Sequence, residues 1–532
     1  MLRLIQIRSS AAQYAKTVLS LSKQFVAPWI PDSTHPKQFA LIASVRSEVM
    51  LDLYPLRHIK GDGTNHWSVS LHKGGRETFR TCSEARTTSK LNISMVAQTS
   101  GQLRRVLGFG FGLAVSIGGT IGVGILRTPG LVAEQLHVPF LILLLWVAGG
   151  IYTLLGASCL TELGLMFPRA GGFYVYVRRA FGNTAGFAVG WTDWLMYCSI
   201  LGYLSIAIAE FIAALGLLPH GGIRFLAVLI LLGIVALQWL GIRVSSRFQE
   251  VTTSLKCIAF LLLVLACLLA PVGGRRSAPI PSSMTFTGLV VALQAIVITY
   301  GGWQSPLYFI EEDREPARNL PRAMIGGVLS VIGIYLLVNV ALLKILPMSE
   351  LSGATFPAAD AARIVAGGYG RNIIILLSVI SIVPLLNAIT MMGTRVIFGM
   401  GRDQLFWSRT STVNAGGTPD IATILTAGIA VALIATGTFQ RLIAMTSFFL
   451  AANYSLCCIA LVVLRHQQPD LPRPYQAWAY PWSAWLVIAG SVIFLIGMLM
   501  GDVLNGIASL GLLGLGLFGR VVLTRSTARG EK

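Results

Sequence analysis

Two would-be transmembrane spans in this chain are broken in their middles, one at GGTIGVGI (Gly118 to Ile125) and one at ITYGGW (Ile298 to Trp303). Hydrocarbon offers backbone groups no hydrogen bonds, so non-helical chain at that depth survives only where it lines a protein-enclosed cavity. Breaks in the first and sixth spans point to a substrate site near the membrane midplane, built from main chain.

The rest of the chain agrees with a membrane. Of its 532 residues 54% are hydrophobic and only 12% charged, against roughly 25% charged in soluble domains. The runs are continuous rather than alternating, which predicts helices and excludes barrel strands. About 12 spans are expected: Gly108–Ala133 (broken), Pro139–Phe167, Asn183–Leu215, Arg224–Gly241, Phe248–Ala270, one from Thr285 that breaks at Tyr300–Gly302, Met324–Leu346, Ile373–Met400, Ile421–Gly437, Arg441–Leu464, Trp482–Met500 and Val503–Val522.

The net charge of +19 does not form a nucleic-acid surface. Alternate loops hold the arginines: Arg104 and Arg105; Arg169, Arg178 and Arg179; Arg243 and Arg247; Arg314, Arg318 and Arg322; Arg402 and Arg409; Arg465 and Arg473. The positive-inside rule places these loops and both termini in the cytoplasm of a multi-pass protein, expected in the plasma (inner) membrane. Six of seven cysteines fall in spans without CxxC spacing, so neither a disulfide nor a metal site is expected.

Residues 1–100 form a polar extension without a span. Their first 31 residues lack Asp and Glu, as in a targeting segment. Alternatively the protein starts at Met95, just ahead of the first span. Residues 101–522 are expected to form the transmembrane domain and 523–532 a basic cytoplasmic tail.

Because spans one and six both break, the first five and next five spans read as two copies inserted with opposite orientation. Four stretches then carry a resemblance: IGVGIL followed by Pro129-Gly130; FPRAGGFYVYVRRAFG; YGGWQSPLYFIEEDREPARNLPRA; and LPRPYQAWAYP. Together they make the chain similar to the amino acid–polyamine–organocation (APC) superfamily, on its L-type and serine/threonine-exchanger side. The resemblance implies a LeuT-type fold, a 5+5 inverted repeat with discontinuous first and sixth helices and two extra C-terminal helices. It also implies alternating-access transport of amino acids.

A zwitterion at the midplane needs donors for its carboxylate and acceptors for its ammonium. The half-helix starting near Val123 aims free N–H groups and its positive dipole end back at the break. The resemblance assigns Gly122, Val123 and Gly124 to the carboxylate. Carbonyls at Ile117, Gly118, Ile298, Thr299 and Gly301 are the candidate ammonium acceptors, with Ile298 in the place of a gate. Tyr300 and Trp303 either seal the site or simply pack. Met196 and Tyr197 of the third span are expected to face the ligand. With no acid at the sixth-span break, a neutral substrate is favoured. Asp193 leaves three roles open: selecting cationic amino acids or polyamines, carrying protons, or a plain internal hydrogen bond.

Lys256 in the fifth span is the candidate coupling residue. In sodium-independent relatives a lysine stands where others bind sodium, which implies either a proton carrier or a fixed cation bridging to the first-span break; snorkelling is the plain alternative. Glu162 is expected to tie a helix end to an interior loop. Glu311, Glu312 and Asp313 beside Arg314 and Arg318 read either as a gate network or as a solvated charged loop.

Secondary transport, by exchange or proton symport, is the leading expectation, and an amino acid sensor of the same fold is the alternative. His137, His220 and His466 are scattered and there is no phosphate-binding loop, which argues against an enzyme or a primary pump. No cofactor, metal or nucleic acid is expected; the partners are an amino acid, membrane lipid and candidate protons. No partner subunit is indicated, since the loop after the third span lacks cysteine.

Overall fold

The computed structural model describes residues 59–61, 67–73, 76–82, 103–216, 222–271, 285–436, 439–501, 507 and 509–518. The candidate start at Met95, most of the N-terminal extension, the ends of the last span and the tail 523–532 lie outside the described residues. The chain divides into two compact units, Met1–Ala97 and Gln98–Lys532.

The first unit contains an antiparallel sheet of three strands in the order β1 (Ile59–Gly61), β2 (Trp67–Lys73), β3 (Arg76–Cys82). Lys73 pairs with Arg76, which leaves Gly74-Gly75 as a two-residue connection. That dipeptide between two strand-like runs is a hairpin signal in the sequence. The extension therefore holds regular structure that its composition did not suggest.

The second unit is helical. Its elements are α1 (Phe109–Thr120), α2 (Gly124–Leu136), α3 (Pro139–Met166), α4 (Phe173–Ala214), α5 (Ile223–Trp239), α6 (Ile242–Leu269), α7 (Phe286–Thr299), α8 (Pro316–Ile345), α9 (Pro357–Ala366), α10 (Gly370–Arg402), α11 (Asp420–Thr436), α12 (Phe439–Gln467), α13 (Trp482–Gly501) and α14 (Ser509–Phe518). Among the described residues, seven helices are long and apolar enough to cross a membrane, and the bent pair α1 and α2, turned by 46°, makes an eighth. The shorter apolar helices α5, α7, α11 and α14 occupy the remaining expected positions.

Local chemistry sets the boundaries. Pro139, Pro316 and Pro357 stand in first turns, where the missing N–H is no loss. The Thr285 side chain caps α7 by accepting from the Gly288 N–H at 3.0 Å. The segment Pro168–Gly182, expected as a loop, is helical from Phe173; Gly182, at φ +84°, separates this piece from the third span proper.

Helix α6 shows how the bundle is oriented toward its solvent. Val251, Leu255, Ile258, Leu262, Leu265 and Leu269 are exposed, while Ser245, Gln249, Thr253 and Lys256 are buried. Each set recurs every three or four residues, so each occupies one face of the helix. The apolar face outside and the polar face inside invert the pattern of a soluble protein and fit lipid surroundings.

Inside, α4 packs on α10 and α12, α3 on α8, and α1 against α6 and α8, while α2 pairs with α7. The two broken spans thereby meet at the centre.

Candidate substrate site

The first break is Ile121–Val123, between α1 and α2. The second follows α7 through Tyr300–Gln304 and leads into a 3₁₀ helix, Ser305–Glu312. They are in direct contact. The Thr128 and Thr299 hydroxyls lie 2.8 Å apart, and a methyl placed on Gly124 would sit 3.3 Å from Thr299 Cγ2. Gly302 adopts φ +112°, and a Cβ there would come within 2.0 Å of the Gly119 carbonyl oxygen, so only glycine fits this crossing.

Around the crossing the chain is open. Gly124 is exposed and Gly122, Val123 and Gly301 are half-buried, while Ile298 is 50% exposed. The first N–H groups of α2 start at this accessible point, so the helix end is available to an anion.

The candidate acceptor carbonyls are partly engaged. Ile117 accepts from the Ile121 N–H at 2.9 Å and Ile298 from the Gly301 N–H at 2.9 Å. Thr299 accepts from the Tyr335 hydroxyl at 2.8 Å, and the same hydroxyl reaches the Thr120 carbonyl at 3.2 Å. Each carbonyl retains a second lone pair. Tyr335, on α8 and fully buried, thus pins both breaks together.

Lys256 is fully buried. Its Nζ donates to the Gly118 carbonyl at 3.0 Å and the Ile121 carbonyl at 2.5 Å. The fifth-span Nζ therefore occupies the C-terminal end of α1, where helix carbonyls are left over. A polar seam continues beside it: Thr253 donates to the Ala114 carbonyl at 3.1 Å, Asn387 to Gln249 Oε1 at 2.8 Å, and Gln238 to Asn387 Oδ1 at 2.6 Å. Through it, α5, α6 and α10 hold α1 in place.

Other candidates sit in the surrounding walls. Tyr300 is buried, donates to the Trp146 carbonyl at 3.1 Å and packs on Trp146 and Tyr335. Trp303 stacks on Tyr454 with ring centroids 5.1 Å apart. Met196 and Tyr197 are buried, and the Tyr197 ring meets Tyr308 at 5.6 Å. Asp193 accepts from the Tyr308 hydroxyl at 2.8 Å.

Two crossed helix breaks are thus fastened together by a buried lysine and a buried tyrosine. The amino acid permease family model matches residues 111–509. The chain belongs to that family. The serine/threonine exchanger SteT of Bacillus subtilis (strain 168) is 29% identical over 424 residues, 78% of this chain and 96% of its own. The mouse b(0,+)-type amino acid transporter 1 is 28% identical over 394 residues, 70% of this chain and 78% of its own. The mouse large neutral amino acids transporter small subunit 2 is 27% identical over 395 residues, 70% of this chain and 72% of its own. The permease is a multi-pass membrane transporter of amino acids, not an enzyme.

At the permease's arginine-rich end, the acids after the sixth span are not a solvated run. Glu312 and Arg395 are both 0% exposed and pair through two bonds of 2.9 and 3.1 Å. Glu311 holds Arg402 at 2.6 and 2.9 Å and accepts from the Ala170 N–H at 2.7 Å. Asp403 pairs with Arg178 at 2.5 Å and Arg169 at 3.1 Å. The partners come from α10 and the Pro168–Gly182 segment rather than from the neighbouring Arg314 and Arg318. Ahead of α1, Val106 and Leu107 donate to the Glu312 carbonyl at 3.0 Å each, and the Arg314 N–H donates to the Leu107 carbonyl at 3.1 Å. Glu162, fully buried, joins Arg465 at 2.8 and 2.5 Å and the Ala477 N–H at 2.7 Å, tying α3 to α12 and the loop beyond it.

Proposed function

We propose that the permease exchanges neutral amino acids across the plasma membrane, without sodium, by alternating access to the crossing of its two broken spans. The observation that carries this reading is Lys256. Unwound carbonyls at half-helix ends are where sodium-coupled carriers find oxygen ligands; here the carbonyls of Gly118 and Ile121 accept from the Lys256 side chain instead. Lys256 then acts as a fixed cation that braces the first break.

The accessible N-terminus of α2 at Gly122, Val123 and Gly124 receives the substrate carboxylate. The second lone pairs of the break carbonyls receive its ammonium, with Ile298 above the substrate side chain. No acidic residue stands at either break, which supports neutral over cationic substrates. The relatives named for serine/threonine exchange and for large neutral amino acids support the same choice. The arginine-rich end, closed by the Glu312 and Glu311 ion pairs, faces the cytoplasm.

The test is uptake of labelled serine, leucine, lysine and putrescine into proteoliposomes loaded with unlabelled amino acid, in sodium and in potassium buffer. Serine or leucine should enter equally in both, and lysine and putrescine should not. Sodium dependence, or a preference for lysine, overturns the reading.

A further inference from the structure

Among the described residues, Asp193 is an acidic residue deep in the bundle with no cationic partner. It is fully buried on α4. Its Oδ2 accepts from Tyr308 at 2.8 Å, whereas Oδ1 and the hydroxyl of Tyr197, one turn further along α4, each have no hydrogen-bond partner. The titratable groups around it are Tyr197 on α4, Tyr308 on the Ser305–Glu312 segment, and Tyr454 and Cys457 on α12. None is a cation. From α10, Arg395 is committed to Glu312. An ionised carboxylate without a counter-charge is expensive at this depth. A proton on Oδ1 removes that charge.

Tyr308 brings one short segment over this carboxylate. Tyr308 belongs to the same short segment as Glu311 and Glu312, which are fastened to α10 by ion pairs. Its ring also fills the space at Gly172, where φ is +72° and a Cβ would fall 2.1 Å from Tyr308 Cε1. The segment's first turn touches the substrate crossing: Gln304 Oε1 accepts from the Gly302 N–H at 3.1 Å and from Tyr454 at 2.7 Å. One rigid element therefore links the substrate break, the ion-paired end and Asp193.

We propose that Asp193 is a proton-binding site, sealed when the Ser305–Glu312 segment docks and opened to water when it leaves. Docking takes up one proton, converting the carboxylate to the acid; undocking releases it, and no other bond is made or broken. The inference rests on the reading of the protein as an alternating-access exchanger.

The experiment is exchange of labelled serine or leucine by the full-length protein in proteoliposomes, with internal and external pH stepped together from about 8 to about 5.5, where an ionised fraction changes up to about tenfold per unit. Wild-type exchange should rise as pH falls. Asp193→Asn, which mimics the acid, should stay at the wild-type acid level throughout. Tyr308→Phe, which removes the one donor to the carboxylate, should remain pH-dependent with a displaced midpoint. A flat wild-type profile with brisk exchange overturns this inference and leaves the exchanger standing. So does Asp193→Asn protein that keeps the wild-type slope, or that elutes as a folded species and exchanges at no pH. If Asp193→Asn yields no folded protein, an unchanged Tyr308→Phe midpoint overturns it. No exchange by the wild type at any pH removes both readings.

Discussion

At the scale of single residues, the glycines of the two breaks announced themselves in the sequence because nothing else explains them in the middle of an apolar run. Their fastenings did not. Tyr335 and Asn387 look like ordinary members of α8 and α10, and only the packing shows that one pins Thr120 to Thr299 and the other joins a seam to Gln249. Lys256 was visible as an anomaly, but which carbonyls it meets, 135 and 138 residues away, was not. Charge-assisted hydrogen bonds are each worth about 1.5–3 kcal/mol, so Lys256→Met should reduce exchange at least about tenfold, with sodium unable to restore it. Wild-type rates in that variant would show that the ammonium is not what holds the break. Gly124→Ala tests the anion end differently. The atoms nearest its added methyl belong to the Thr299 side chain, at 3.3 Å and beyond, so the protein should fold normally while the apparent KM for amino acid rises several-fold; an unchanged KM would move the carboxylate elsewhere.

Among elements, the decisive one is the 3₁₀ segment Ser305–Glu312. Its motif was legible, and so was the break before it, but its acids were read against the arginines that follow them in the chain. Ion pairs form between elements that pack together, and α10 supplies Arg395 and Arg402 from 83 and 91 residues away. Linear neighbours such as Arg318 make only an exposed contact of 3.7 Å with Glu315. Breaking a buried pair strands the other charge, at about 3–5 kcal/mol. Glu312→Gln should therefore lower the thermal midpoint of the purified protein markedly, and the double replacement Glu312→Leu with Arg395→Met should recover most of that loss. A double variant no more stable than the single one would show that the pair does more than neutralise itself.

For the whole molecule, the helical plan was readable because lipid imposes it: apolar length, Arg placement and proline or glycine punctuation repeat across every span. The N-terminal extension was less readable, since its three short strands lie in a polar stretch without strong apolar alternation, where Asp62-Gly63 and Gly74-Gly75 are the turn signals. As the chain separates into Met1–Ala97 and Gln98–Lys532, protein beginning at Met95 should reconstitute with the specific exchange rate of the full chain; a large loss would assign the extension a role in transport. The central claim is that substrate passing between the two breaks is swapped rather than pumped. The most direct measurement is uptake of labelled serine or leucine into proteoliposomes with and without internal unlabelled amino acid. Uptake that appears only when the interior is loaded is the predicted result; binding to the purified protein with no uptake under either condition would contradict it and mark a sensor.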